Sequence, residues 1–253
     1  EPGGTVEVPL YALFNNQILT VTEDTKVSAE IVVRYSYLDG QKEGSTTVTL
    51  PVHNRNAMTW DDDRKAASFI TAKDPNILEF TKEIGGAVRA VGSPAVSSVF
   101  RQAMGLFLAL QQHGVNYVID PTSAYTEMSE NSQAIDYLQF PIQTLRYRAG
   151  DCDDLSILYC ALLESIGIET AYVTIPGHIL MAFKLDIDPD EARKLFRNAE
   201  QDLIILNEDV WVPVETTLVQ HTFLDAWEKG SEQWRANALN GRAQLIPNHS
   251  SWR

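Results

Sequence analysis

Between Lys26 and Tyr37 apolar and polar residues alternate. Val27, Ala29, Ile31, Val33, Tyr35 and Tyr37 fall on one face, and Ser28, Glu30, Arg34 and Ser36 on the other. A period of two is that of a strand with one buried face. Asp39-Gly40 is a hairpin turn signal, and Thr46, Val48, Leu50 and Val52 return along one face. Two further runs, Thr5 to Tyr11 and Gln17 to Val21, are expected to add strands. Residues 1–58 therefore predict a small antiparallel sheet or sandwich, an all-β domain.

The run Trp60-Asp61-Asp62-Asp63-Arg64 ends that pattern, and the period lengthens. Asp74-Pro75 is a helix start, an N-cap acid followed by proline at the first turn, and Ile77, Phe80, Ile84 and Val88 recur at helical spacing. A second helix is expected from about Pro94 to Gln112, stopped near Gly114. Val115 to Ile119 reads as a short strand closed by Asp120-Pro121, and residues 121–142 as a loop with helical patches. Ala171 to Ile175, then Ile179 to Leu185, read as strands broken by Pro176-Gly177. Leu203–Leu206 and Val210–Val214 form a hairpin around Asn207-Glu208-Asp209. Residues 59–253 are thus a second, α+β domain.

Composition narrows the function. The chain has 253 residues, 44% of them hydrophobic and 21% charged, which suits a folded globular protein. Its net charge of −14 repels a phosphate backbone, so nucleic acid is not an expected partner. No apolar run is long enough to span a bilayer. The two cysteines, Cys152 and Cys160, would lie roughly 12 Å apart on one helix, too far for a disulfide.

The segment Arg148-Ala149-Gly150-Asp151-Cys152-Asp153-Asp154-Leu155 concentrates the chemistry. Gly150 permits a tight turn, Asp151 is an N-cap, and Asp153 and Asp154 suit the positive end of a helix dipole. Leu155, Leu158, Leu162 and Ile166 then mark one face of an amphipathic helix closed by Gly167. A thiol at a helix N-terminus is expected to be acidified and nucleophilic, against the opposing charge of the three acids. Cys152 should then alkylate faster than the mid-helix Cys160, and well below a free-thiol pKa of about 8.5. His178 opens the next strand but one, and Glu215 ends a later strand. That order supplies a nucleophile, a base and an orienting acid.

These residues resemble the transglutaminase-like superfamily, in particular its bacterial cysteine peptidase branch. The resemblance runs from Thr144-Leu145 through Arg148-Ala149-Gly150-Asp151-Cys152-Asp153-Asp154-Leu155-Ser156, Leu162-Leu163, Gly167-Ile168 and Pro176-Gly177-His178. It ends at Trp211-Val212-Pro213-Val214-Glu215-Thr216-Thr217, and it spans about residues 115–220. It implies a papain-like core, a Cys-bearing helix packed on an antiparallel sheet. It also implies acyl transfer on amide bonds of a peptide or protein substrate through a thioester, hydrolysis rather than cross-linking. Cys152 would be the nucleophile, His178 the base and Glu215 the orienting acid. The Cys152 backbone N–H would be one oxyanion donor, with Gln143 and Tyr147 as candidates for the second. The family usually has Asp where this chain has Glu215. Cys152 also lacks the following aromatic residue of animal cross-linking enzymes. Some bacterial relatives bind calcium through acids flanking the cysteine, which makes Asp151, Asp153 and Asp154 candidate ligands. Helix capping is the simpler role for them, and no cofactor is otherwise expected. The resemblance places the protein outside the cytoplasm, in the periplasm or cell envelope. A rival reading keeps the fold as a non-catalytic binding module of an envelope protein, with the β domain as its docking surface.

Overall fold

The computed structural model describes residues 5, 7–37, 40–91, 97–120, 131 and 134–252. The chain divides into two compact units, Glu1–Ala57 and Met58–Arg253.

The first unit is built on one hairpin. Strands β1 (Thr25–Tyr37) and β2 (Gly40–Val52) pair antiparallel, with Val27 opposite Leu50, Ala29 opposite Val48 and Ile31 opposite Thr46. This register gathers the alternating apolar residues on one face, though Val27, Val33 and Tyr35 stay exposed. Asp39 of the turn lies outside the described residues. The two extra strands do not form. Described residues from 5 to 15 make no strand, and Asn16–Thr20 is a 3-10 helix whose cap, Asn15, accepts the Gln17 N–H at 2.9 Å. A short polar side chain at that position offers the backbone a local partner in place of a ladder.

The second unit is α+β. Helix α1 (Pro75–Val91) starts where Asp74 accepts the Asn76 N–H at 2.8 Å. Helix α2 (Ser98–His113) ends at Gly114, whose φ of 85° suits the left-handed cap; the expected start at Pro94 lies outside the described residues. Of Val115–Ile119 only Asn116–Tyr117 is strand, pairing in parallel with Ala149–Gly150. Residues 121–130 and 132–133 of the expected loop are likewise outside the description. Helix α3 (Pro141–Tyr147) was not legible as a helix. Pro141 opens it, and the Gln143 Oε1 accepts the Phe140 N–H at 2.7 Å.

Helix α4 (Cys152–Ser165) carries the thiol. It is not amphipathic in place: every residue from Cys152 to Glu164 is buried, because the sheet covers one side and α1, α2 and α3 the others. The sheet comprises β3 (Thr170–Ile175), β4 (His178–Leu185), β5 (Ile204–Leu206), β6 (Asp209–Val214) and β7 (Gln244–Pro247). The strand order is β7-β3-β4-β6-β5, every neighbour antiparallel. Asn207 and Glu208, with φ of 50° and 65°, make the two-residue turn between β5 and β6. One sheet face packs Tyr172, Met181, Phe183 and Val212 into the main core with α4. The other packs Ala171, Val173, Leu180, Ala182 and Trp211 with Trp234 of α5 (Phe223–Ala238). α5 approaches β6 so closely that a Cβ on Gly230 would lie 2.9 Å from the Pro213 carbonyl. Among the described residues no helix is long and apolar enough to cross a membrane.

Candidate active site

The turn into α4 is steric before it is chemical. Arg148 takes the left-handed conformation, φ 57°, to cap α3 and redirect the chain. Gly150 follows, and a Cβ there would sit 2.6 Å from the Asp154 Cβ. Cys152, the first helical residue, is 4% exposed. The backbone N–H groups of Ile179 and Asp153 favour its thiolate, which sets the sulfur beside the residue that follows His178. They do not win. Burial, and after it the Asp151 carboxylate, push the thiol well above its ordinary range, with Glu215 adding to the effect. An acidified thiol was the expectation from the helix terminus; enclosure of the sulfur among carboxylates reverses it.

His178 follows Gly177, whose φ of 67° turns the chain from β3 into β4. Its Nε2 lies 2.6 Å from Glu215 Oε2, and Glu215 is 2% exposed. The other carboxylate oxygen, Oε1, accepts the Thr217 N–H at 3.0 Å and its hydroxyl at 2.7 Å. Burial alone would raise the Glu215 carboxyl, but the bonds from His178 and Thr217 more than offset it and hold it below its ordinary value. Glu215 therefore stays ionised and fixes Nε2 as the protonated nitrogen, which leaves Nδ1 as the basic one. Thr217 was part of the sequence motif without a role; its hydroxyl and N–H orient the acid. Next to it, Thr216 and Ser156 of α4 join hydroxyls at 3.0 Å, tying the acid's turn to the thiol's helix.

The three acids around Cys152 are all buried, and one ligand oxygen from each lies within 4.8 Å of the others. They could hold a cation together. Their oxygens are also engaged within the protein: the Asp154 N–H lies 2.7 Å from Asp153 Oδ1 and 3.4 Å from Oδ1 of the N-cap Asp151, and Asp154 Oδ1 accepts the N–H of Gln139 in the loop before α3 at 2.7 Å. Burial pushes both Asp153 and Asp154 well up; a hydrogen bond to Asp151 adds to the first, and the charge of Asp151 to the second. Calcium wants six to eight oxygens, more than three carboxylates present by themselves.

Of the oxyanion candidates, Gln143 turns its Oε1 back to cap α3, and Tyr147 is 60% exposed at the end of that helix. Tyr117 was missed. Burial, then the negative groups at Cys152, Asp151, Glu215 and Asp153, push its phenol up to about 12, so it stays a neutral O–H donor in the field of the thiol. It is held there by the Asn116–Tyr117 bridge, with the Val118 N–H donating to the Gly150 carbonyl at 2.9 Å.

No family model matches the chain. No curated protein matches it significantly. Among solved structures, a candidate protease from Parabacteroides distasonis aligns with 65% of this chain at 13% identity and a TM-score of 0.30; the chain spans 39% of that protein's length.

Proposed function

We propose that the protein is a thiol-dependent amidase or peptidase of the transglutaminase-like, papain-like kind, acting on a peptide or protein substrate outside the cytoplasm. The observation that carries this is the 2.6 Å bond from His178 Nε2 to a buried, ionised Glu215, with the Cys152 sulfur beside Ile179, the residue next to that histidine. Because the environment favours the neutral thiol, the proton leaves as the bond forms. His178 Nδ1 takes it while sulfur attacks the amide carbonyl carbon. The oxyanion draws on the Cys152 N–H and the Tyr117 phenol. Collapse breaks the C–N bond, His178 returns the proton to the amine, and a thioester remains. Water, deprotonated by the same nitrogen, then releases the acid and restores the thiol.

The raised thiol and its 4% exposure favour a second reading, a non-catalytic module that keeps the fold. One experiment separates them. Mixed with an activated peptide ester and quenched, the native protein should gain the acyl mass on Cys152, and Cys152→Ala should gain none and lose turnover by about 10⁴-fold or more. No acyl mass on Cys152 and no ester turnover above the uncatalysed background would leave the binding module as the function.

A further inference from the structure

Among the described residues, β1 and β2 are the whole of their sheet, so each strand has one paired edge and one unpaired edge. An edge strand turns every second N–H and C=O outward, as a template for another strand. The two edges are not alike. β2 carries Gly44 and Pro51, and a proline brings no N–H to a ladder. β1 has neither glycine nor proline across its 13 residues. Its apolar row is left open to water: Val27 is 37% exposed, Val33 56% and Tyr35 48%. On its other face Val32 is 41% exposed. A lone two-stranded ribbon is marginal in water, and further strands with a shared apolar face are what stabilise it.

We propose that β1 pairs antiparallel with β1 of a second copy of this chain, making one four-stranded sheet across a two-fold axis at Val32. A two-fold contact matches a surface to itself, and the charges of β1 select the register in which it does so. Odd-numbered residues must stay opposite odd-numbered ones, because a slip of one residue turns the apolar row to the wrong face. With the axis at Val32, residues 27–37 pair; Ile31 of each copy faces Val33 of the other, and Ala29 faces Tyr35. On the polar face Arg34 meets Glu30 of the other copy, twice by symmetry. Arg34 already bonds Glu43 of its own hairpin at 2.6 Å with its side chain 75% exposed, and its five N–H donors can serve a second carboxylate. An axis at Glu30 would set Lys26 against Arg34 and Glu30 against itself; one at Ser28 keeps a Lys26–Glu30 pair but joins residues 25–31 alone. The exposed ion pairs fix the register, while the backbone ladder and the apolar row supply the affinity. β1 holds Lys26 and Arg34 against Glu30, so the two edges meet outside the acidic excess of a chain that carries −14. This inference stands apart from the reading of the thiol site.

The test is sedimentation equilibrium of the whole chain over a range of concentrations. Its mass should rise from monomer to dimer with a dissociation constant of about 1–100 μM. Val32→Lys, which sets two ammonium groups together at the axis, should weaken the dimer at least about tenfold with circular dichroism unchanged, and Cys152→Ala should leave it as it was. Cross-linking reads the register. Opposite residues of an antiparallel ladder have Cα atoms about 4.5–5.5 Å apart, within reach of a disulfide. Val32→Cys should therefore cross-link to its own copy when oxidised glutathione is added, at least about tenfold faster than Glu30→Cys, whose copies lie about 14 Å apart along the strands. A monomer at every concentration, a dimer indifferent to Val32→Lys, or equal cross-linking of the two cysteine variants would overturn the proposal. So would hydrogen-exchange protection of the outward β1 amides in the monomer, which would mean that another segment of the same chain covers that edge.

Discussion

At the start of α4, Glu215 holds His178 at 2.6 Å beside Cys152; towards its end, Glu164 holds His249 at 2.9 Å on the side of Cys160. Both glutamates are buried, and both pairs use Nε2. The surroundings of the two sulfurs differ. Cys160 is 0% exposed in mid-helix, where Thr170 and Asn248 hydrogen-bond it and burial pushes its thiol up to about 12. Cys152 is also enclosed, but it opens its helix, two backbone N–H groups favour its anion, one of them from Ile179 just after His178, and the His178 side chain and Tyr117 are both partly exposed. The same three residue types thus make a structural network at one end and a candidate catalytic unit at the other. Placement on the helix separates them, not composition.

Breaking the two histidines gives the largest contrast. His178→Ala should lower single-turnover acylation by about 10³- to 10⁴-fold, while His249→Ala should stay within about twofold. Similar losses in both would dissolve the distinction.

The glutamates come next. Glu215→Gln should cost about 10- to 1,000-fold in rate, and Glu164→Gln should leave rate nearly intact while lowering stability by about 1 kcal/mol. The pH dependence sharpens this. The native Glu215 carboxyl titrates below its unfolded value, so its contribution to stability is present above about pH 4.5 and is lost as pH falls through the depressed value. Chemical denaturation of Glu215→Gln should show less acid sensitivity than the parent.

Alkylation compares the sulfurs directly. Iodoacetamide should modify Cys152 at least about tenfold faster than Cys160, read by peptide mass. With the thiol held up, the Cys152 rate should keep climbing beyond pH 9 and show no plateau near neutrality. A plateau below about pH 7 would mean a preformed thiolate–imidazolium pair instead.

The smallest effect concerns the acids that Cys160 lacks. Asp153 has a native value raised above 3.8, so its burial is tolerated at low pH and costs stability as pH rises through that raised value. Asp153→Asn should therefore stabilise the protein by about 1–2 kcal/mol at pH 7, a gain that fades towards pH 4.

Much of this was legible along the chain. The β1–β2 hairpin, the start of α4 at Asp151 and the β5–β6 turn at Asn207-Glu208 rest on interactions between near neighbours, which local periodicity and caps encode. The same local reading failed where alternatives compete. Gln17–Val21 has strand-like composition, yet Asn15 offers a nearer acceptor than any distant strand. Gln244–Pro247 becomes β7 only because the edge of β3 is available to pair with it.

For the site, the residue order by itself named Cys152, His178 and Glu215 as chemically apt, since each type and its element can be read in place. Only the tertiary structure decided that His178 meets Glu215 at 2.6 Å, that Thr217 orients the acid, and that Tyr117 shares the field of the thiol. It also decided the direction of the Cys152 shift. A helix terminus is a local feature, but desolvation and the charges of Asp151 and Glu215 are summed over everything packed around the sulfur, and that sum exists only once the chain has folded.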